Sequence, residues 1–334
     1  MLTASMVGPG YGGLVALAAC APPVGHSATL LAGGRVLVIV STEAELTNQA
    51  QIFDPATNRW TPTAIHRDGG VVATLLSDGK VLLTGADCDR YGPQLYDPRT
   101  DVVSSAGVMA VQNGGGYTAT LLRNGKVLFA GGYGGPRYIN SQPHNFVQLY
   151  DPTTNAWTLA APMLAQRMNP QSMLLADGRV LVAGGNSDSG PLPFLTSAEI
   201  YDPLTNVWSS AGEIPTNGYG FAALSVLGNG MLLAAGGSEG GRPTATAFLF
   251  DPASRSSSKT GSMVYARSGA TATPRADGSL MVVGGQGING SPLTTVERFD
   301  PVTLTWAVMP GSLTTSSLDQ SVILLKDGRV FVTS

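Results

Sequence analysis

The chain has 334 residues, 43% of them hydrophobic and 12% charged, with a formal net charge of −3. That is apolar material enough for a large core, and a near-neutral balance without any block of like charge excludes nucleic acid or an anionic membrane surface as the main partner. No apolar run reaches the ~18 residues that a spanning helix needs, and 43 glycines with 22 prolines in no collagen period point to many tight turns rather than long helices.

Residues 1–25 hold two short apolar stretches, Met1–Met6 and Leu14–Ala19, joined by a Gly-Pro-Gly-Tyr-Gly-Gly link. Leu-Ala-Ala-Cys at 17–20 looks like a bacterial lipoprotein cleavage site. No Lys or Arg precedes Arg35, however, and a secretory leader needs a basic start, so the segment reads first as strand. The two cysteines, Cys20 and Cys88, leave one bridge and two free thiols equally open.

From residue 26 onward one unit recurs. Its first anchor is a hairpin: LLAGGRVLV (30–38), LLSDGKVLL (75–83), LLRNGKVLF (121–129), LLADGRVLV (174–182), VLGNGMLLA (226–234), PRADGSLMV (274–282) and LLKDGRVFV (324–332). Its second anchor is an aromatic residue before Asp-Pro, at Asp54, Asp97, Asp151, Asp202, Asp251 and Asp300. A Trp follows the Asp by six residues in four units: Trp60, Trp157, Trp208 and Trp306. A period of about fifty residues with this internal order marks a repeat architecture.

Each unit reads as four strands. The first is alternating or apolar, as in TATLL (118–122), and Asp-Gly or Asn-Gly then predicts a two-residue hairpin turn. The second, such as Val180–Ala183, is apolar on both faces and must be covered on both. The third, such as AEIYD (198–202), ends at Asp-Pro, because proline cannot donate to a ladder and Asp suits a turn. The fourth carries the Trp. Six units are complete, and the seventh has two strands before Ser334. Stacking such sheets around an axis covers both faces, which makes the expected fold class all-β and the architecture a β-propeller.

Glycine pairs follow the second strand at 131–132, 184–185, 236–237 and 284–285. Together with the aromatic-Asp-Pro anchor and the Trp, they resemble the kelch repeat over residues 26–334. Val103 and Ser257 stand in place of the Trp, and units one and two lack the glycine pair (Ile39-Val40, Gly85-Ala86). The resemblance implies that strands from both termini complete one blade. The expectation is therefore seven four-stranded blades, with 1–25 supplying closing strands and 26–334 the propeller; six blades is the alternative.

Function is expected where the repeat is irregular. The Asp-Gly and Asp-Pro turns share one face and are alike in every unit. The loops between second and third strands, such as 132–146 and 186–197, and the crossovers between blades differ and share the other face, near the central channel. Candidate ligand-binding residues there are His66, Arg137, Tyr138, His144, Arg167, Tyr219, Arg242 and Arg267, a mixture suited to a protein loop or a glycan. The six anchor aspartates lie at one repeated turn and read as turn caps, and the tryptophans read as core between blades.

Two enzyme readings follow from resemblance alone. Galactose oxidase and its relatives carry copper on a similar propeller, but the three histidines here, His26, His66 and His144, have no paired spacing, and Cys88 lies in another loop. Sialic-acid mutarotases are also similar in repeat, and Arg167 and Arg267 with Glu213, Glu239 or Asp319 would imitate such a site. The expectation is a non-catalytic, monomeric kelch propeller that binds a protein or glycan, without metal or cofactor. Secretion or an envelope location is implied by the resemblance, and Asn289-Gly-Ser is a glycan acceptor motif.

Overall fold

The computed structural model describes residues 4–7, 15–16, 25–41, 49–66, 71–85, 92–111, 115–133, 142–187, 194–215, 223–313 and 321–333. They contain strands and turns and no helix, so none is long and apolar enough to cross a membrane. The chain divides into two compact units, residues 22–210 and residues 1–21 with 211–334.

The first unit holds four antiparallel four-stranded sheets, each in the order 1-2-3-4, and the outer strand of the fourth runs on past residue 210. Blade one is Gly25–Leu30, Val36–Ser41, Gln49–Asp54 and Arg59–Pro62. Blade two is Val71–Leu75, Val81–Gly85, Gln94–Asp97 and Val102–Ser105. Blade three is Gly115–Leu121, Val127–Tyr133, Val147–Asp151 and Ala156–Leu159. Blade four is Gln171–Leu174, Val180–Ala183, Ser197–Asp202 and Val207–Glu213.

The second unit holds blade five, Ala223–Val226, Leu232–Ala235, Ala247–Asp251 and Ser256–Lys259, and blade six, Thr271–Pro274, Leu280–Val283, Thr295–Asp300 and Thr305–Ser312. A small ribbon, Ser238–Glu239 paired with Arg242–Pro243, is inserted in blade five. Its turn is Gly240-Gly241, both at positive φ, as a tight primed turn requires.

The blade count corrects the expected seven to six. Six sheets are blades in the full sense: one contiguous stretch of chain, with the second hairpin closed by an Asp-Pro turn. The end strands do pair, because Ala4–Val7 lies between Val330–Thr333 and the two-residue strand Val15–Ala16, with Ser321–Leu324 on the far side. That sheet draws its strands from the two ends of the chain and lacks the Asp-Pro turn that closes the second hairpin of all six blades, so it is a terminal sheet and not a seventh blade.

The second strands carry the core. Val81–Gly85, Val180–Ala183, Leu232–Ala235 and Leu280–Val283 are buried along their whole length. Their two faces go to different neighbours, as a side-chain period of two dictates. In blade three, Val127 and Phe129 join Leu76, Leu82 and Leu95 of blade two, whereas Leu128 and Ala130 join Val180 and Val182 of blade four. In blade six, Leu280 and Val282 pack on blade five, whereas Met281 and Val283 pack on Val330 and Val332.

The first hairpins also correct an expectation. Each is a three-residue loop, not a two-residue one: Leu76 donates to Lys80 O and Gly79 donates to Leu76 O, and the glycine alone adopts positive φ (86°). This is a type I turn followed by a left-handed glycine. The Asp or Asn before the glycine accepts the N–H two residues on, as Asp78 does from Lys80 (3.0 Å) and Asp177 from Arg179 (3.0 Å).

The Asp-Pro turns are built on their aspartates. Asp54, Asp97, Asp151, Asp202, Asp251 and Asp300 each accept the N–H two residues on, at 2.8–3.0 Å. The residue four after the Asp takes left-handed geometry: Asn58, Asp101, Asn155 and Asn206. In blades three and four a buried Tyr of the third strand donates to that Asn: Tyr150 to Asn155 and Tyr201 to Asn206, both at 2.9 Å. Burial pushes the Tyr150 phenol up to about 12. In blades three, four and six the indole N–H then ties the blade to the one before. Trp157 donates to Ala106 O (2.7 Å), Trp208 to Ala161 O and Trp306 to Gly261 O (both 2.8 Å).

Blades five and six place Arg255 (φ 58°) and Leu304 (φ 57°) at the left-handed turn position. A branched side chain pays a steric penalty there of ~1–2 kcal/mol that Asn largely escapes. Leu304→Asn is therefore expected to raise unfolding free energy by about 1 kcal/mol. Denaturant titration measures it, and an unchanged midpoint contradicts the strain argument.

Candidate functional site

Away from the turns, a crossover leads the chain from one blade into the next. The crossover enters with an apolar plug: Ile65, Met109, Met163, Ile214, Met263 and Leu313, all buried. In two blades an arginine follows the Met by four residues, Arg167 and Arg267, and both are 0% exposed.

Arg167 is held by blade four. Its Nε and Nη2 donate to Glu199 Oε1 (3.2 and 2.8 Å), and Nη1 donates to Gly184 O (2.9 Å) and Ser197 O (2.8 Å). The Glu199 carboxylate also accepts the backbone N–H groups of Leu164 (2.6 Å) and Ala165 (3.0 Å). Blade six repeats the arrangement. Arg267 donates to Glu297 Oε1 (2.6 Å), Gly284 O (2.7 Å) and Thr295 O (3.1 Å), and Glu297 accepts from Val264 (2.6 Å) and Tyr265 (3.0 Å). Here Arg267 Nε is buried without a partner, and burial draws the guanidinium below its ordinary range against the pull of Glu297. Blade three solves the same problem without charge: Gln148 bridges the N–H (3.0 Å) and C=O (2.9 Å) of Val111.

The loop between second and third strands is tied to the same crossover. His144 N–H donates to Gly132 O, Arg167 N–H to His144 O, and Gly132 N–H to Arg167 O. In blade five, Thr244, Arg267 and Gly237 form the same circuit. The glycine pairs are needed for this approach: a β carbon on Gly131 would stand 2.5 Å from Arg167 O, and one on Gly285 would stand 2.6 Å from Ser268 O.

The structure thus sets two predicted residues, Arg167 and Arg267, inside the crossovers as internal latches. His144 is buried, its ring 4.8 Å from that of Phe146 and neither ring nitrogen hydrogen-bonded. His66 is exposed in the crossover from blade one, and Arg242 is exposed in the small ribbon, opposite Glu239. Arg137, Tyr138 and Tyr219 lie outside the described residues, as do Cys20, Cys88 and Asp319. Among the described residues no three His, Cys, Asp or Glu side chains gather as metal ligands, so they do not assemble the donor set of a copper oxidase. Nor do Glu213 and Glu239 face the two arginines, which take Glu199 and Glu297 instead.

What the sequence reading passed over is the display this latch creates. Leu164 and Val264, directly after the plugs, are 64% and 56% exposed, with Tyr265 at 43% and Phe146 at 46%. The signal was present as a correlation inside the repeat. The third-strand position holds Gln51, Gln94, Gln148, Glu199, Phe248 and Glu297, and the crossover position holds Arg only where that position is Glu.

The Kelch motif matches three stretches of the chain, 116–164, 169–215 and 269–312. Kelch-like protein 23 of Homo sapiens is 26% identical over 170 residues, half of this chain and 29% of that protein. The chain thus spans under a third of the curated relatives it first matches. Two solved structures share the fold. A fungal alcohol oxidase in complex with copper superposes with a TM-score of 0.71 at 19% identity, covering 93% of this chain and 74% of that one. YjhT superposes with a TM-score of 0.60 at 15% identity, covering 86% and 98%.

Two outcomes follow from this geometry. Glu199→Ala leaves Arg167 buried without a counter-charge and is expected to cost about 3–5 kcal/mol, whereas Arg167→Met with Glu199→Gln, in the manner of blade three, recovers most of that. Denaturant unfolding compares them, and equal stability of the single variant and the wild type contradicts the latch. Desolvation lowers the His144 pKa below 6.5, so the unfolded chain takes up the proton first. The stability this contributes is present above 6.5 and is lost as pH falls from there through the folded-state pKa. His144→Phe is expected to flatten the slope of stability against pH in that window, and an unaltered slope counts against it.

Proposed function

We propose that this chain, a member of the kelch-repeat family, is a binding scaffold whose crossover loops take a protein partner. The fold supports a scaffold in general, and the relationship to Kelch-like proteins supports protein interaction. One observation carries the finer reading. Leu164 with Ala165, and Val264 with Tyr265, are held through their backbone N–H groups by buried carboxylates while their larger side chains point outward.

Scattered apolar residues on a surface are ordinary. These differ because the same repeat position is exposed twice, each time clamped by a buried ion pair. A loop fixed in this way loses little entropy when a partner closes on it, which is how preorganised hydrophobic anchors gain affinity. A sugar or a metal would instead call for polar side chains free to reach it, and the guanidinium groups of Arg167 and Arg267 are already engaged.

The test begins with affinity capture from the host's own extract, followed by direct titration with the purified captured protein. At least one of Leu164→Asp and Val264→Asp is expected to weaken binding about tenfold or more, roughly 1.4 kcal/mol. Val302→Asp, on the Asp-Pro turn of blade six, is expected to change it less than about twofold. Unchanged affinity for both crossover variants contradicts the assignment, as does equal loss for the turn variant.

A further inference from the structure

The opposite end of the blades, where the turns repeat most closely, departs from its own pattern between blades three and four. A cleft of 390 Å³ opens between the first hairpins of blades three and four and the Asp-Pro turn of blade four. Leu122, Arg123, Asp202, Pro203 and Leu204 are among its walls, and the lining is mainly apolar. That volume is at the lower end of the range for ligand sites, ~300–1,000 Å³.

Two of these positions are exceptional within the repeat. The residue after Asp-Pro is Ala56, Arg99, Thr153, Leu204, Ala253 and Val302, and Leu204 is the most exposed large apolar side chain described, at 94%. The residue that opens the first hairpin is Ala32, Ser77, Arg123, Ala176, Gly228 and Ala276, so arginine occurs at one blade. Arg123 lies across the neighbouring turn, its Cδ 3.2 Å from where a Gly178 side chain would begin, and its Nη2 donates to Ala176 O. Among the described residues it has no acidic partner.

Asp202 is the complementary case. In blade three the matching Asp151 pairs with Lys126 at 3.1 Å, and in blade two Asp97 pairs with Arg99 at 2.8 Å. In blade four the cation in the Lys126 position is Arg179, and it turns instead to Asp177 at 2.7 Å. Asp202 keeps its turn-capping bond from Leu204 N–H, and among the described residues no cation pairs with it. One cleft therefore offers an unpaired guanidinium, an unpaired carboxylate and a mainly apolar lining.

We propose that this cleft binds an extended segment of a partner protein in which an aliphatic residue stands between an acidic and a basic one. The acidic side chain pairs with Arg123, the basic one with Asp202, and the aliphatic one packs on Leu204. This surface is separate from the crossover loops and does not depend on what they bind.

The probes are short capped peptides read by titration against the whole chain: acetyl-Asp-Leu-Lys-amide, acetyl-Lys-Leu-Asp-amide, acetyl-Asp-Leu-Asp-amide, acetyl-Lys-Leu-Lys-amide and acetyl-Ala-Leu-Ala-amide. One of the two mixed-charge peptides is expected to bind at least about fivefold more tightly than the like-charge and neutral ones. Arg123→Gln and Asp202→Asn, which keeps the turn cap, are each expected to remove about that factor, and Leu204→Ser to weaken all five. Equal binding of neutral and mixed-charge peptides to the wild-type chain overturns the proposal without any variant. So does binding of free leucine as tight as that of the best capped peptide, which would make the cleft a site for a small zwitterion.

Discussion

The constraint on which the rest depends is a strand with two apolar faces. Val127–Tyr133 cannot be left with either side in water, so a sheet must stand on each side of it, and the same holds for the second strand of every other blade. Burying one such side chain contributes ~1.5–3 kcal/mol, and each second strand buries several. Repetition answers this need, because within each unit one blade's uncovered face is the next blade's cover.

Once the second strands are stacked, the remaining contacts decide how firmly neighbours are joined. Two sets of ties run between successive blades. At the turn end a tryptophan indole reaches back to a carbonyl of the blade before, and the left-handed Asn of the same turn accepts from Ala161 N–H in blade three. At the loop end an apolar plug and, in two blades, a buried Arg–Glu pair hold the crossover against the strand it feeds. A buried ion pair is weak evidence for extra stability, since a hydrophobic substitute often does as well. Its value here is geometric: one carboxylate fixes an arginine and two consecutive backbone amides, and so fixes how the loop presents its side chains.

Much of this was legible in the sequence because packing imposes it on every copy. The Asp-Pro caps, the tryptophans between blades and the glycine pairs recur in order, and the structure gives each a matching contact. The two arginines were harder. Read singly, Arg167 and Arg267 look like free cations in variable loops, and only their joint occurrence with Glu199 and Glu297 some thirty residues later shows where their charge goes. The first hairpins were misread in length, because Asp-Gly also serves the three-residue turn in which Asp caps the backbone and glycine alone turns left-handed. The blade count was misread because seven hairpins are present while only six second hairpins carry the Asp-Pro turn. The cleft was invisible because it depends on a choice of partner: a cation that turns to Asp177 leaves Asp202 without one, and no local motif records that choice.

The central claim is that the crossovers are rigid platforms set by the blades beneath them, although their side chains lie in water. Native-state hydrogen exchange reads this at single amides. The account predicts that the N–H groups of Leu164, Ala165, Val264 and Tyr265, bonded to Glu199 and Glu297, exchange nearly as slowly as those of the buried second strands Val180–Ala183 and Leu280–Val283. Exchange at those four amides as fast as at an open loop such as Gly240-Gly241 would contradict it.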